Sequence, residues 1–211
     1  MSNSKEVASA LLTIKAVGFA LQEPITFKSG MRSPVYVDNR KLPYHPGEWK
    51  KIIAGFRSLI TDNAVEYDVI AGIETAGIPH SAALAYSLEK PSVFIRKKVK
   101  DHGTKSRIEG GNVSGKKVLL IEDHVTTGGS SLAGVDALRE AGASVTTCLS
   151  ITDYEFTDGK KAFKTAGVTL LTLTSFTEIL QAATEQKIIS QSEEHIVKEW
   201  LADPWQWSKD H

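Results

Sequence analysis

The stretch VLLIEDHVTTGGSS, residues 118–131, decides how the rest of the chain is read. It begins with Val118, Leu119, Leu120 and Ile121, an apolar run of the kind found in a strand covered on both faces. Two carboxylates, Glu122 and Asp123, follow at once. Ionised groups at the end of a buried strand are costly unless a polyol, a cation or a basic partner satisfies them. Thr126, Thr127, Gly128, Gly129 and Ser130 then open a helical pattern that runs to Ala141. The glycines permit unusual φ values, the small residues let backbone N–H groups converge on one anion, and a helix N-terminus stands behind them. The combination predicts a phosphomonoester cradle beside an acidic clamp for a diol. The alternative is an ordinary strand-to-helix turn capped by Asp and Thr, and the paired acids straight after an apolar strand weigh against it. The stretch has no Gly-Lys-Ser/Thr at P-loop spacing and no GxGxxG, which argues against nucleotide hydrolases and dinucleotide enzymes.

Further apolar runs lie at 69–73, 92–95, 145–151 and 168–173, and helical periodicity fills 78–88, 129–141, 159–166 and 175–187. This alternation predicts an α/β fold with a mostly parallel sheet flanked by helices, its functional loops at the carboxyl ends of the strands. Upstream, Val7, Ala8, Leu11, Ile14 and Val17 predict an amphipathic helix over 4–17 stopped by Gly18. Residues 25–40 predict two strands around Ser29-Gly30, and Trp49, Ile52, Ile53, Phe56, Leu59 and Ile60 a second helix ending near Asn63. Downstream, 190–201 predicts a last helix, and Pro204-Trp205-Gln206-Trp207 a tail whose aromatics pack on the body. The expected organisation is one domain over 1–211, with a small hood at 1–45, a core at 46–189 and a C-terminal helix and tail at 190–211.

Among 211 residues, 25 Lys+Arg balance 25 Asp+Glu, so the chain lacks the basic excess of a nucleic-acid-coating or anionic-membrane surface. With 41% hydrophobic and 24% charged residues it belongs to the globular class rather than the disordered one. The single cysteine, Cys148, excludes an internal disulfide, and no Cys/His spacing suits zinc. Without a leader pattern or a membrane-length apolar run, the chain is expected to be cytoplasmic, with neither nucleic acid nor membrane as partner. Zero net charge nevertheless hides segregation, because Arg96, Lys97, Lys98, Lys100, Lys105 and Arg107 face Asp101 alone within 96–107.

Two more strand-end loops bear on function. DVIAGIETAGIPHSAALA, residues 68–85, is a strand, a small-residue turn through Glu74, Thr75, Ala76 and Gly77, and a helix with Pro79 in its first turn. Alone it is ordinary strand-to-helix packing. FIRKKVKDHGTKSRIEG, residues 94–110, starts as a strand and becomes polar, glycine-containing and basic. A basic run is ordinarily a solvated face, but one that bridges two strand–helix units predicts a mobile flap closing over a polyanion.

EDHVTTGGSS resembles the signature of the type I phosphoribosyltransferases. The resemblance implies that Glu122 and Asp123 take the ribose hydroxyls of phosphoribosyl pyrophosphate. Thr126, Thr127, Gly128, Gly129 and Ser130 would hold its 5-phosphate, His124 and Val125 would also belong to its binding site, and Thr75, Ala76 and Gly77 would support pyrophosphate through backbone amides. RKKVKDHG is similar to the catalytic loop of the orotate phosphoribosyltransferases, with Arg96, Lys97, Lys100 and His102 at pyrophosphate-binding positions. FKSGMRSPVYVDNR, residues 27–40, resembles their hood, with Lys28 reaching the ligand and the Ser33–Tyr36 strand over the pyrimidine.

These likenesses imply transfer of a phosphoribosyl group to orotate in pyrimidine (UMP) synthesis, with Lys100, Asp123 and His102 as the catalytic residues. Mg²⁺ would be held mainly by substrate and water, without a dedicated protein metal site. A homodimer is implied, with each flap acting across the interface. Thr126, Tyr36 and Tyr154 would contact orotate. The sequence departs from the family in one place: Tyr154 in ITDYEF, residues 151–156, stands where many members carry an arginine for the orotate carboxylate. A phenol cannot form that bidentate ion pair, which leaves Arg40, Arg32 or backbone amides as partners. Two other readings remain, a phosphoribosyltransferase for another nucleobase and a regulatory sensor of phosphoribosyl pyrophosphate. The remaining histidines, His45, His80, His195 and His211, together with His124, are expected at the surface or behind the site.

Overall fold

The computed structural model describes residues 4–27, 29–97 and 107–211. Along the chain, α1 (Ser4–Thr13) leads to β1 (Val17–Phe19), β2 (Ile25–Thr26), β3 (Arg32–Ser33) and β4 (Val35–Val37). A 3₁₀ turn at Asn39–Tyr44 precedes α2 (Pro46–Asp62). There follow β5 (Val69–Ile73), α3 (Gly77–Ser87), β6 (Ser92–Ile95), β7 (Ile108–Glu109), β8 (Lys117–Val125) and α4 (Gly129–Glu140). The chain ends with β9 (Ser144–Asp153), α5 (Thr157–Thr165), β10 (Thr169–Ser175), α6 (Phe176–Glu185), α7 (Gln191–Ala202) and α8 (Pro204–Asp210). The main sheet has the order β10-β9-β8-β5-β6-β7, parallel except for the antiparallel β6–β7 pair.

Alternation along the central strands divides the apolar side chains between two cores. Leu119 and Ile121 join Leu11, Phe56, Phe176 and Trp200 on one face. Val118 and Leu120 join Val69, Val135 and Leu138 on the other. Met31 of the hood and Trp207 of the C-terminal segment lie in the first core, so the appendages share apolar packing with the sheet.

Several element boundaries differ from the sequence reading, each for a tertiary reason. The first helix stops at Thr13, and Val17, Gly18 and Phe19 pair with Val37, Tyr36 and Val35. Gly18 therefore leaves room for the ring of Tyr36 rather than ending a helix. The hairpin at 25–40 is a short β2–β3 pair around Gly30, after which β4 turns to β1. In the basic segment, Ile108 and Glu109 extend the sheet as β7, whereas Lys98, Lys100, His102 and Lys105 lie outside the described residues, as does Lys28. The aromatic tail is helix α8, capped by Asp203, whose side chain accepts the Gln206 N–H at 3.0 Å. Ser208 Oγ in α8 accepts the Arg32 N–H at 2.8 Å, fastening the hood to the tail. No described helix is long and apolar enough to cross a membrane.

Candidate functional site

β8 continues beyond its apolar run, which places the two acids inside the strand. Glu122, His124 and Val125 align with Ser150, Thr152 and Asp153 of β9, so the neighbouring strand pairs a polar stretch that the sequence reading placed at the end of the strand. The chain then turns through Thr126 and Thr127 to Gly128, which caps α4 with φ 82°. A Cβ there would come within 2.8 Å of Phe163 Cε2, so both backbone and packing require glycine. The first ladder bond of α4 runs from Leu132 N to Gly128 O at 2.9 Å. The amides of Gly129, Ser130 and Ser131 precede it and have no intrahelical acceptor, which suits them to an anion.

A cleft of about 630 Å³ opens over this turn. Thr126, Thr127, Gly128, Gly129 and Ser130 form one side, the hood residues Phe27, Ser29 and Tyr36 face them, and His124, Val125 and Tyr154 lie in the wall with Trp205 at the rim. The fold thus brings the Thr126–Ser130 turn, expected to hold phosphate, together with Tyr36 and Tyr154, both expected near the base. A larger hollow of about 860 Å³, between the 12–23 segment and Ile188-Ile189, shares only Tyr36 with the expected site and lacks the convergent amides.

The acid pair is sheltered. Glu122 is buried, its Oε2 accepting from Ser131 Oγ at 3.3 Å and its Oε1 from the Asp123 N–H at 3.1 Å. Burial first, and then the Asp123 charge, push the Glu122 carboxyl well above the usual carboxylate range. Burial also raises Asp123, opposed by hydrogen bonding with Glu122, by backbone N–H groups and by the charge of Arg40. The pair can hold one proton, leaving a donor and an acceptor side by side for a diol.

The loop between β5 and α3 packs directly beneath these acids, where a Cβ on Gly77 would stand 2.6 Å from the Ile121 carbonyl oxygen. Thr75 and Ala76 lie in this loop, and Glu74 Oε2 accepts the backbone N–H of Lys97 at 2.7 Å. Arg96 follows β6, its Nη1 3.9 Å from Glu109 Oε1. Arg107 donates to the Arg96 carbonyl at 2.9 Å and to the Ala133 carbonyl at 3.1 Å.

Tyr154 is buried at the centre of an aromatic group. Its ring centroid lies 4.3 Å from that of His124, 4.9 Å from Trp200, 5.1 Å from Phe176 and 5.3 Å from Phe156. Burial raises its pKa and keeps the phenol neutral. None of the described residues that line the cleft is an arginine. Arg40 instead pairs with Asp38, and the Arg32 backbone is engaged by Ser208 and Trp200.

Of the histidines, His195 and His211 are exposed, while His80 is fully buried and accepts from Trp49 Nε1 at 2.9 Å on Nδ1. Burial lowers His80 to about 4 and His124 to about 3, so both are neutral near pH 7. Sequence reasoning did not single out Asn39 or Thr152, two buried polar residues behind the cleft. The only signal was a threonine within an apolar strand run and an asparagine in the hood.

Residues 45–179 match the family model described as the phosphoribosyl transferase domain. The chain is 41% identical over 209 residues to the orotate phosphoribosyltransferase of Listeria innocua, covering 99% of this chain and 100% of that one. Among solved structures, UMP synthase of Leishmania donovani has a TM-score of 0.83 at 26% identity over 94% of this chain and 42% of that one. Orotate phosphoribosyltransferase of Aeropyrum pernix has a TM-score of 0.75 at 28% identity over 87% and 99%.

Proposed function

This chain belongs to the orotate phosphoribosyltransferases of the phosphoribosyl transferase family, and from that membership we propose how its strand-end cleft works. The reaction is transfer of the 5-phosphoribosyl group from phosphoribosyl pyrophosphate to orotate, giving orotidine 5′-monophosphate and pyrophosphate in pyrimidine synthesis. The observation that carries this reading is the acid pair of buried Glu122 and half-buried Asp123 beside the open N-terminus of α4, with a hood that supplies Phe27 and Tyr36 to the cleft.

In this arrangement the acid pair orients the ribose hydroxyls, and the amides and hydroxyls from Thr126 to Ser130 hold the 5-phosphate. The orotate ring lies between the hood aromatics and Tyr154, with Thr126 as a hydroxyl contact. Thr75, Ala76 and Gly77, with Arg96 and Lys97, receive the departing pyrophosphate, joined by Lys28, Lys100 and His102. Charge grows on pyrophosphate and on the ribose ring as the bond breaks, so fixed basic groups and the Asp123 carboxylate act where that charge develops.

The oxygen donors of Glu122 and Asp123 suit Mg²⁺, although no described cluster of three or more His, Cys, Asp or Glu residues could hold a metal by itself. Bound chiefly through substrate and water, Mg²⁺ would neutralise pyrophosphate charge. The carboxylate of orotate meets a neutral phenol at Tyr154 rather than a guanidinium, so recognition rests on single hydrogen bonds. A homodimer with each flap serving its neighbour completes the reading.

The test is loss of orotate absorbance with phosphoribosyl pyrophosphate and Mg²⁺, run beside adenine, hypoxanthine and uracil. Turnover confined to orotate is expected. Turnover of another base alone, or of none, overturns the assignment.

A further inference from the structure

Asn39 has no part in the chemistry above, yet it is wholly buried where the hood meets the sheet. Its Nδ2 donates to the Asp123 backbone carbonyl at 2.7 Å and to Thr152 Oγ1 at 3.1 Å. Thr152 Oγ1 also lies 2.8 Å from His124 Nδ1. The Asn39 amide occupies one Thr152 lone pair, and the same hydroxyl engages Nδ1, while the buried Nε2 has no hydrogen-bond partner among the described residues. That ring stands edge-on to Tyr154, with an interplanar angle of 79°.

The Trp49 indole can only donate, so a neutral His80 that accepts on Nδ1 carries its proton on Nε2. That Nε2 has no hydrogen-bond partner among the described residues. One side chain of the hood, at the start of its 3₁₀ turn, thus grips a carbonyl of β8 and a hydroxyl of β9. The carbonyl it grips belongs to the peptide plane between Asp123 and His124, whose tilt aims both side chains.

We propose that Asn39 is a positioning residue that locks the Asp123–His124 peptide plane and thereby ties hood placement to the ribose clamp. The inference rests on the reading of Glu122 and Asp123 as the ribose site. A reacting group displaced by about 1 Å can lose on the order of a hundredfold in rate, so one such hydrogen bond is sufficient to matter.

The test compares phosphoribosyl pyrophosphate with pyrophosphate, which has no ribose, by calorimetric titration in Mg²⁺. The proteins are the wild type, Asn39→Ala, and Asn39→Asp, in which an acceptor replaces the donor. Phosphoribosyl pyrophosphate is expected to bind about tenfold more weakly to the variants, with a matching fall in kcat/KM, while pyrophosphate affinity stays within about twofold. Equal weakening of both ligands would mean that Asn39 only supports the fold, and unchanged affinity for both would mean that it positions nothing. Either result overturns the proposal. If neither Asn39 variant folds, Thr152→Val carries the same ratio test, because it removes one of the two acceptors without altering Asn39. A wild type that binds pyrophosphate but not phosphoribosyl pyrophosphate would instead overturn the underlying ribose assignment.

Discussion

Glu74 Oε2 accepts the backbone N–H of Lys97 at 2.7 Å, so a carboxylate in the β5–α3 loop fixes the root of the basic segment. Glu74→Ala should raise KM for phosphoribosyl pyrophosphate severalfold and leave KM for orotate nearly unchanged. The stability cost should be about 1 kcal/mol, because the bond is charge-assisted but solvent-accessible. Steady-state kinetics and urea titration check both; a shift in the orotate KM alone would contradict the placement.

The Glu122–Asp123 pair should respond unequally to amide substitution. Glu122 has its carboxyl pushed well above the ordinary range, so Glu122→Gln mimics its protonated form and should keep the thermal midpoint. Asp123→Asn removes the charge proposed to face the ribose and should lower kcat by about a hundredfold. Equal kinetic losses with equal unfolding would count against separate roles.

Asp153, which pairs with Val125 but does not line the cleft, gives a pH test of stability. It is buried, with Oδ1 unpartnered, and burial followed by the Glu155 charge raises it to about 6. A carboxyl raised on folding binds protons more tightly in the native state, so it costs stability as pH rises from its unfolded value near 4 toward 6. Asp153→Asn should therefore gain stability relative to wild type across that window, by about 1–3 kcal/mol at pH 7 compared with pH 3.5. Thermal melts of both proteins at several pH values measure the difference; a flat difference would show that the carboxyl is not raised.

His80 and His124 act in the opposite direction. Their native pKa values of about 4 and about 3 lie below the ordinary histidine value, so the unfolded chain takes up protons first as pH falls. Their contribution to stability is complete above pH 6.5 or so and declines as pH drops toward 4 and 3. Wild type should lose stability on acidification through this range, and Asp153→Asn should lose it more steeply because the opposing acid is gone. Denaturant midpoints between pH 7 and pH 4 test the sign.

If the flap serves a neighbouring subunit, Lys100→Ala and Asp123→Asn proteins should each be nearly inactive alone. Mixed and allowed to exchange subunits, they should recover activity corresponding to one intact site per heterodimer. No recovery, with exchange confirmed by differential tagging, would place flap and clamp in the same chain.

The resemblance in EDHVTTGGSS and RKKVKDHG led to a family that the full-length relatives bear out, and the short apolar runs led to the parallel sheet. Both were legible because they are local: a phosphate turn needs small residues in consecutive positions, and a buried strand needs a continuous apolar run. The segregation of charge within a neutral total was visible for the same reason.

What stayed hidden depended on pairing between distant segments. Val17 is a strand residue because Val37 lies opposite it, and Glu122 and His124 remain in a strand because Ser150 and Thr152 provide the ladder. Asn39 and Thr152 are 113 residues apart, and no spacing rule joins them. Tyr154 shows the same limit, since its letter in ITDYEF announces a missing guanidinium but not the ring cluster that buries it. Turns and periodic faces are set by neighbours along the chain, whereas a buried amide's partners and a carboxyl's proton affinity are set by what folding brings against them.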